Sequence, residues 1–230
     1  TARRLGIPLE VISGDDEALL AFRSAARHFH LEGKTTVVAD IGGGSLEVVL
    51  ATGTVPGPIW SLPLGAVRLT EELCPSDPLR PRHWRRLRRE IDRVLKREIE
   101  RPPKSIDVLI GSGGTFTALA QVMKCERGEH PGSVHGFVLH QDDLARLLAR
   151  LKKMPLEARR RVPGLNPRRA DIIVAGAAVV SRLARRLDVR RIVVNERGIR
   201  DGILLSMLSE RTRRSPGRAP SSAQARLDSV

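Results

Sequence analysis

Two apolar periods run through this chain, and glycine marks most of the places where one gives way to the other. Val37-Val38-Ala39 and Ile41 form one apolar run, Leu46 and Val48-Val49-Leu50 a second, and Gly42-Gly43-Gly44 lies between them. Apolar, β-branched runs on either side of a glycine break predict a β-hairpin over 37–50 whose tip is bare backbone. After the turn residues Pro56-Gly57-Pro58, the stretch 59–64 reads as a third antiparallel strand, closed by Gly65. Upstream, 7–12 reads as a strand already inside a fold. Further strands are expected over 106–110 and 191–195, and 134–139 reads as either a short strand or a loop.

Helical spacing fills the intervals. Leu19, Leu20, Phe22, Ala26 and Phe29 make one side of a helix that Ser13 can cap. Asp15, Asp16 and Glu17 occupy its first turn, where negative charge suits the helix dipole. Residues 82–101 place Trp84, Leu87, Ile91, Val94, Leu95 and Ile99 on one face and arginines on the other. Shorter helices are expected over 67–73, 141–151, 155–161 and 200–208, and another follows the glycine loop at 111–115. Asn166 as cap, with Pro167 at the first helical position, predicts a long helix to about residue 187. Hairpin-linked strands followed by strand–helix alternation make the chain α/β with a mixed sheet.

Composition bounds this picture without changing it. With 230 residues, 41% hydrophobic and 29% charged, the chain is globular and long enough for a real core. No run of 18 apolar residues occurs and the start carries no apolar signal-peptide core, so no membrane partner is expected. Cys74 and Cys125 lie too far apart for a metal knuckle, and free thiols point to a cytoplasmic protein. The net charge of +14 is uneven. Residues 80–104 hold eleven Arg/Lys against four Asp/Glu, and 211–230 hold five Arg against one Asp. That asymmetry fits a polyanionic ligand or, equally, solvated faces in an arginine-rich chain. Aromatics are 3% with no Tyr, so stacking platforms for single-stranded nucleic acid are poorly supplied and the solvated face is preferred.

The chemistry concentrates at the glycines. Successive N–H groups in a tight loop form an anion-binding concavity, and Gly42-Gly43-Gly44 makes sense where φ is positive or where something bulky approaches the main chain. Asp40 is the wrong charge for phosphate and the right one for a metal or water beside it. The plain alternative is a hairpin with a generous turn, which Ser45 and Glu47 nearby make less attractive. The strand–loop–helix order around Gly111-Ser112-Gly113-Gly114-Thr115 is a second candidate cradle, or simply a tight turn. Glu17, taken alone, is a first-turn acid.

Taken in order, six motifs resemble the exopolyphosphatase / guanosine pentaphosphate phosphatase family over residues 5–208. They are Val11-Ile12-Ser13-Gly14-x-x-Glu17-Ala18, Asp40-Ile41-Gly42-Gly43-Gly44-Ser45-x-Glu47, Leu64-Gly65-Ala66-Val67-Arg68, Gly111-Ser112-Gly113-Gly114-Thr115, Pro167-x-Arg169-Ala170-Asp171-Ile172-Ile173 and Gly198-Ile199-Arg200-Asp201-Gly202. The resemblance implies the actin-like, ribonuclease-H-like superfold of sugar kinases and heat-shock chaperones, with two related domains clamping a phosphorylated ligand. It implies release of terminal phosphate from inorganic polyphosphate or guanosine pentaphosphate, dependent on Mg²⁺ or another divalent cation, by a homodimer when full length. By position, Glu17 matches the family's base towards water and Asp40 the acid that positions water or the cation. Gly42, Gly43, Gly44 and Ser45 match a phosphate loop, with Glu47 a further acid beside it. Gly111, Ser112, Gly113 and Gly114 match a further glycine loop facing the cleft. Asp40 and Glu47 thereby become the expected metal ligands.

The same resemblance divides the chain into the end of a first domain (1–33), a whole second domain (34–210) and a disordered basic tail (211–230). The family's first phosphate loop, Asp-x-Gly-Ser-Asn followed by an arginine, has no counterpart in residues 1–230. The expectation is therefore a fragment or a degenerate member with impaired turnover. A non-catalytic polyphosphate- or nucleotide-binding module and a subunit completed by another chain are the competing readings.

Overall fold

The computed structural model describes residues 11–99 and 105–214. Most of the expected first strand, the end of the 82–101 helix and the tail beyond 214 lie outside them. The first described helix, α1 (Gly14–His28), starts where Ser13 predicted. The Ser13 hydroxyl accepts the Asp16 N–H at 3.1 Å while the Asp16 carboxylate reaches back to the Ser13 N–H, a capping box.

Six strands follow in one mixed sheet: β1 (Thr35–Ile41), β2 (Leu46–Thr52), β3 (Val55–Leu62), β4 (Val108–Ser112), β5 (Val138–His140) and β6 (Arg191–Asn195). Their order across the sheet is β3-β2-β1-β4-β6-β5. β1, β4 and β6 run parallel, β2 and β3 form the antiparallel meander, and β5 pairs antiparallel to β6.

Strand alternation sorts the apolar residues onto two faces. Val37, Ala39, Ile41, Leu46, Val48 and Leu109 join the larger core, under α2 (Ala66–Leu73), α3 (Pro81–Glu98), α4 (Gly114–Glu126), α5 (Gln141–Leu151) and α7 (Ile173–Arg186). Val38, Val49, Ala51 and Ile110 face the other way, against Ala18, Ala21, Phe22 and Ala25 of α1 and Ile199 of α8 (Gly198–Arg214). The short α6 (Leu156–Arg159) precedes a 3-10 turn at Pro167–Arg169. No helix of the described residues is long and apolar enough to cross a membrane.

Three expectations change. The long helix from Asn166 is broken: only Pro167–Arg169 forms a turn, with the Asn166 side chain capping Arg168 N–H, and α7 begins at Ile173. The Arg159 guanidinium donates to the Ala170 carbonyl at 2.7 Å, and the Asp171 carboxylate accepts the Ile172 N–H. Both take groups that a continuous helix needs for its own ladder. Pro56-Gly57-Pro58 is no turn but part of β3, which begins at Val55. On an edge strand the missing proline N–H faces solvent, and a register shift near Leu50 absorbs the irregularity. The chain reverses instead at Gly53, where φ is +59°. Finally, α8 extends past residue 208 to Arg214.

Cys74 and Cys125 are both free thiols. Burial pushes the Cys74 thiol up to about 11, against the favourable charge of Arg159. Alkylation at pH 8 is therefore expected to be roughly 100-fold slower at Cys74 in the folded chain than after denaturation, since thiolate is the reactive species. Mass spectrometry of quenched time points reads this directly, and equal rates in both states would contradict it.

Candidate active site

The acids named from the sequence meet on one face of the sheet. Asp40 is the last residue but one of β1 and Glu47 the second of β2, and the hairpin register sets them directly opposite each other. Both point to the α1 side and are buried, Asp40 to 5% exposure and Glu47 to 2%. Two like charges in such a pair are costly unless one is neutralised or compensated. Burial raises the Asp40 carboxyl above its ordinary range, opposed by the Ser112 hydroxyl and helped by the nearby Glu17 charge. Burial likewise raises Glu47, opposed by the Ser45 and Ser61 hydroxyls and helped by Glu17 and Asp40. Glu17, half-buried in the first turn of α1, thus stands within electrostatic reach of both.

Hydroxyls hold the acids in place. Ser112, beside Asp40 in the parallel register of β1 and β4, donates to the Asp40 carboxylate at 2.7 Å. Ser61, opposite Glu47 on β3, donates to Glu47 at 3.1 Å. Gly14 brings α1 onto this spot: a Cβ there would collide with the Ser61 side chain. A polar chain fixes the rest of α1. Asn195 donates to Ser24, Ser24 donates to Asp201 of α8, and His28 meets the same carboxylate at 2.9 Å.

The hairpin tip is built to expose N–H groups. The α2 N-terminus takes the tip's carbonyls: Ala66 N–H donates to Gly42 O, and Val67 and Arg68 N–H donate to Gly43 O. Among the described residues no acceptor faces the N–H of Gly43 or Gly44. Gly65 permits this contact, because a Cβ there would strike the Gly43–Gly44 backbone. Positive φ is not the reason for the tip glycines, since none of Gly42, Gly43 and Gly44 adopts it. Gly44 has no atom within 4 Å of where a Cβ would sit, so the space beyond it is open. Of the two reasons the sequence offered for these glycines, positive φ is absent; α2 of the chain itself closes on Gly43, where a Cβ would lie 3.4 Å from Val67, and Gly44 faces open space.

The second glycine loop faces Asp40. Gly113 has φ +89°, and a Cβ there would lie 2.7 Å from an Asp40 carboxylate oxygen. It caps α4 with no side-chain bond, so the first N–H groups of that helix, which lack intrahelical partners as in any helix, receive no side-chain cap. Over Gly114 lies the Arg169 guanidinium, so close that any Cβ would collide with it. Among the described residues Arg169 has no carboxylate within ion-pair distance. Arg169 stood in a quoted motif but inside an expected helix, and Ser61 carried no motif at all. The period-2 pairing of β3 with β2 was the available signal for Ser61. Cavities of about 430 Å³ beside His140 and Arg190 and about 300 Å³ between α4 and α5 lie elsewhere, and neither touches the acids.

This arrangement can hold an anion on two sets of N–H groups and a guanidinium, with carboxylates alongside. The sequence profile of the Ppx/GppA phosphatase family matches residues 1–211. The chain belongs to that family. Exopolyphosphatase 2 of Mycobacterium tuberculosis is 34% identical over 207 residues, covering 88% of this chain and 65% of its own length. The guanosine-5'-triphosphate,3'-diphosphate pyrophosphatase of Vibrio parahaemolyticus is 26% identical over 207 residues, or 90% of this chain and 40% of that protein. The crystal structure of the Aquifex aeolicus family member superposes with a TM-score of 0.80 at 30% identity, over 91% of this chain and 67% of that one. The mixed sheet and its flanking helices are thus the actin-like fold of the Ppx/GppA family, and the chain spans 65% and 40% of the two curated relatives.

Proposed function

We propose that this chain forms one wall of the active site of a phosphoanhydride hydrolase, releasing terminal phosphate from inorganic polyphosphate or guanosine pentaphosphate. The observation that carries the reading is the buried Asp40–Glu47 pair set beside a hairpin tip of unpaired N–H groups. Phosphoryl transfer asks for positioning, a base and neutralised charge more than for covalent chemistry. The N–H groups of Gly43 and Gly44 and the start of α4 would cradle phosphoryl oxygens, and Arg169 would offset their charge. Glu17 would accept the proton of the attacking water. In sequence, residues 1–33 are read as the end of a preceding domain and 34–210 as a second domain.

A divalent cation such as Mg²⁺ fits the donors. Among the described residues no three His, Cys, Asp or Glu stand close enough to form a cage, but Mg²⁺ is ordinarily held by one or two carboxylates together with substrate phosphates and waters. Asp40 and Glu47 would supply that pair: they are buried and face each other across the hairpin, where a cation would offset their like charges. Bound there, it would draw charge off the phosphoryl oxygens. Asp40 and Ser112 would then fix the geometry and Glu17 would handle the proton.

The competing reading is a non-catalytic polyphosphate- or nucleotide-binding module that uses the same unpaired N–H groups of the tip. Gly44→Ala tests whether the tip binds phosphate at all, for either reading. The fold does not resist this Cβ, so thermal stability is expected to stay within about 0.5 kcal/mol of the parent. Tripolyphosphate affinity, measured by calorimetry with Mg²⁺, is expected to fall about tenfold or more as the N–H cradle is obstructed. Unchanged affinity would remove the phosphate-loop role of the tip.

A further inference from the structure

The largest block of charge that the acidic site leaves unused stands on α3. At about 100° per residue, Arg82, Arg85, Arg86, Arg89, Arg93 and Lys96 fall within about a third of the helix circumference. All six are exposed. The opposite arc buries Leu87, Ile91, Val94 and Leu95 in the larger core, on the far side of the sheet from Asp40 and Glu47. From Arg82 to Lys96 the stripe runs about 21 Å along the axis, at 1.5 Å per residue.

The helix's own acids do little to cancel it. Glu90 engages Arg93 through two hydrogen bonds of 2.9 and 2.6 Å, Glu98 pairs with Arg97, and Asp92 turns away to Arg182 of α7. Among the described residues Arg85, Arg86, Arg89 and Lys96 have no carboxylate within ion-pair distance. His83 registers the local field: after desolvation, the charges of Arg82, Arg80 and Arg86 hold its imidazole below the ordinary range.

We infer that this face of α3 is a second binding surface, separate from the acidic site, for a linear inorganic polyanion, and that its ligand is polyphosphate. A row of cations about 21 Å long, in which Arg93 alone of the six has a carboxylate partner among the described residues, matches an anion whose charge repeats along its length. A single nucleotide's phosphates would cover only one end of it. Nucleic acid fits less well, because single strands are held by base stacking on aromatic faces. The one indole of α3, Trp84, is already faced by the Lys152 ammonium at 4.8 Å and the Arg88 guanidinium at 5.9 Å. A membrane surface fits less well again: the apolar arc is buried, and no large apolar side chain of α3 is exposed. The choice of polyphosphate among inorganic polyanions rests on the function proposed above; the existence of the surface does not.

The test is equilibrium binding of labelled long-chain polyphosphate and of tripolyphosphate to the whole chain and to an Arg85→Gln, Arg86→Gln, Arg89→Gln, Lys96→Gln variant. The four side chains are exposed and make no ion pair, so circular dichroism and the melting temperature should match the parent. Long-chain affinity is expected to fall about tenfold or more, with a shallower salt dependence because fewer counterions are released. Tripolyphosphate affinity should not change. Equal long-chain affinity in parent and variant would overturn the surface, as would an equal loss for both ligands. A single-stranded oligonucleotide that displaces the long chain at equal phosphate concentration would overturn polyphosphate as the partner. Long-chain binding that depends on the stripe, in a parent that binds no tripolyphosphate, would support the surface and count against the hydrolase reading of the acidic site.

Discussion

Glu17→Gln is expected to lower the rate of phosphate release about 10²–10⁴-fold and to leave ligand affinity within about twofold, the pattern of a lost general base. Glu17 is half-buried in the first turn of α1, and its charge is felt by both Asp40 and Glu47. Glutamine keeps its shape and removes its proton affinity. The comparison belongs in a chain joined to a segment carrying Asp-x-Gly-Ser-Asn, with residues 1–230 alone alongside. The chain alone is expected to bind phosphate and turn over slowly, because one wall of a cleft supplies the groups without the positioning. Joined enzyme whose steady-state rate survives Glu17→Gln would reduce Glu17 to a first-turn helix acid. Robust turnover by residues 1–230 alone, abolished by the same change, would show the site complete in this chain.

Asp40→Asn is expected to abolish hydrolysis and, in metal-free buffer, to make the chain more stable at neutral pH. The Asp40 carboxyl is 5% exposed and faces Glu47 across the hairpin. Its folded-state pKa lies above the value of about 3.8 that governs the unfolded chain. Between those two values the folded state binds the extra proton, so this residue's contribution to stability falls as pH rises through the folded pKa. Asparagine cannot ionise and can still accept the Ser112 hydrogen bond. Its advantage is therefore larger at neutral pH and shrinks as the solution is acidified towards pH 4. Thermal unfolding at both pH values measures the difference, at about 2–4 °C per kcal/mol for a chain of this size. A lower melting temperature for Asp40→Asn at pH 7 would mean that the buried charge is compensated by the protein alone, and the argument for a cation there would go with it.

The chain by itself determined whatever depends on near neighbours. Ser13 and Asp16 are three residues apart, so their capping box was legible and α1 starts where expected. The alternation of β1 and β2 divides Val37, Ala39 and Ile41 from Val38 and Asp40, which places the acids on the face away from the larger core. Register then sets Asp40 opposite Glu47, since a hairpin tip leaves little freedom in pairing. Even the basic arc of α3 can be counted from 3.6-residue spacing.

What only the tertiary structure decided involves partners remote in sequence. The break before α7 comes from Arg159, whose guanidinium takes the Ala170 carbonyl from eleven residues away. That break frees Arg169 to lie over Gly114, a meeting no local pattern announces. α1 owes its setting above Asp40 to Ser24 and Asp201, 177 residues apart, and to Gly14 pressed on Ser61 of the edge strand. Propensity and periodicity report the cost of arranging a few adjacent residues. They carry no information about which distant groups compete for a carbonyl, or which surfaces close over a glycine, until the core has been assembled.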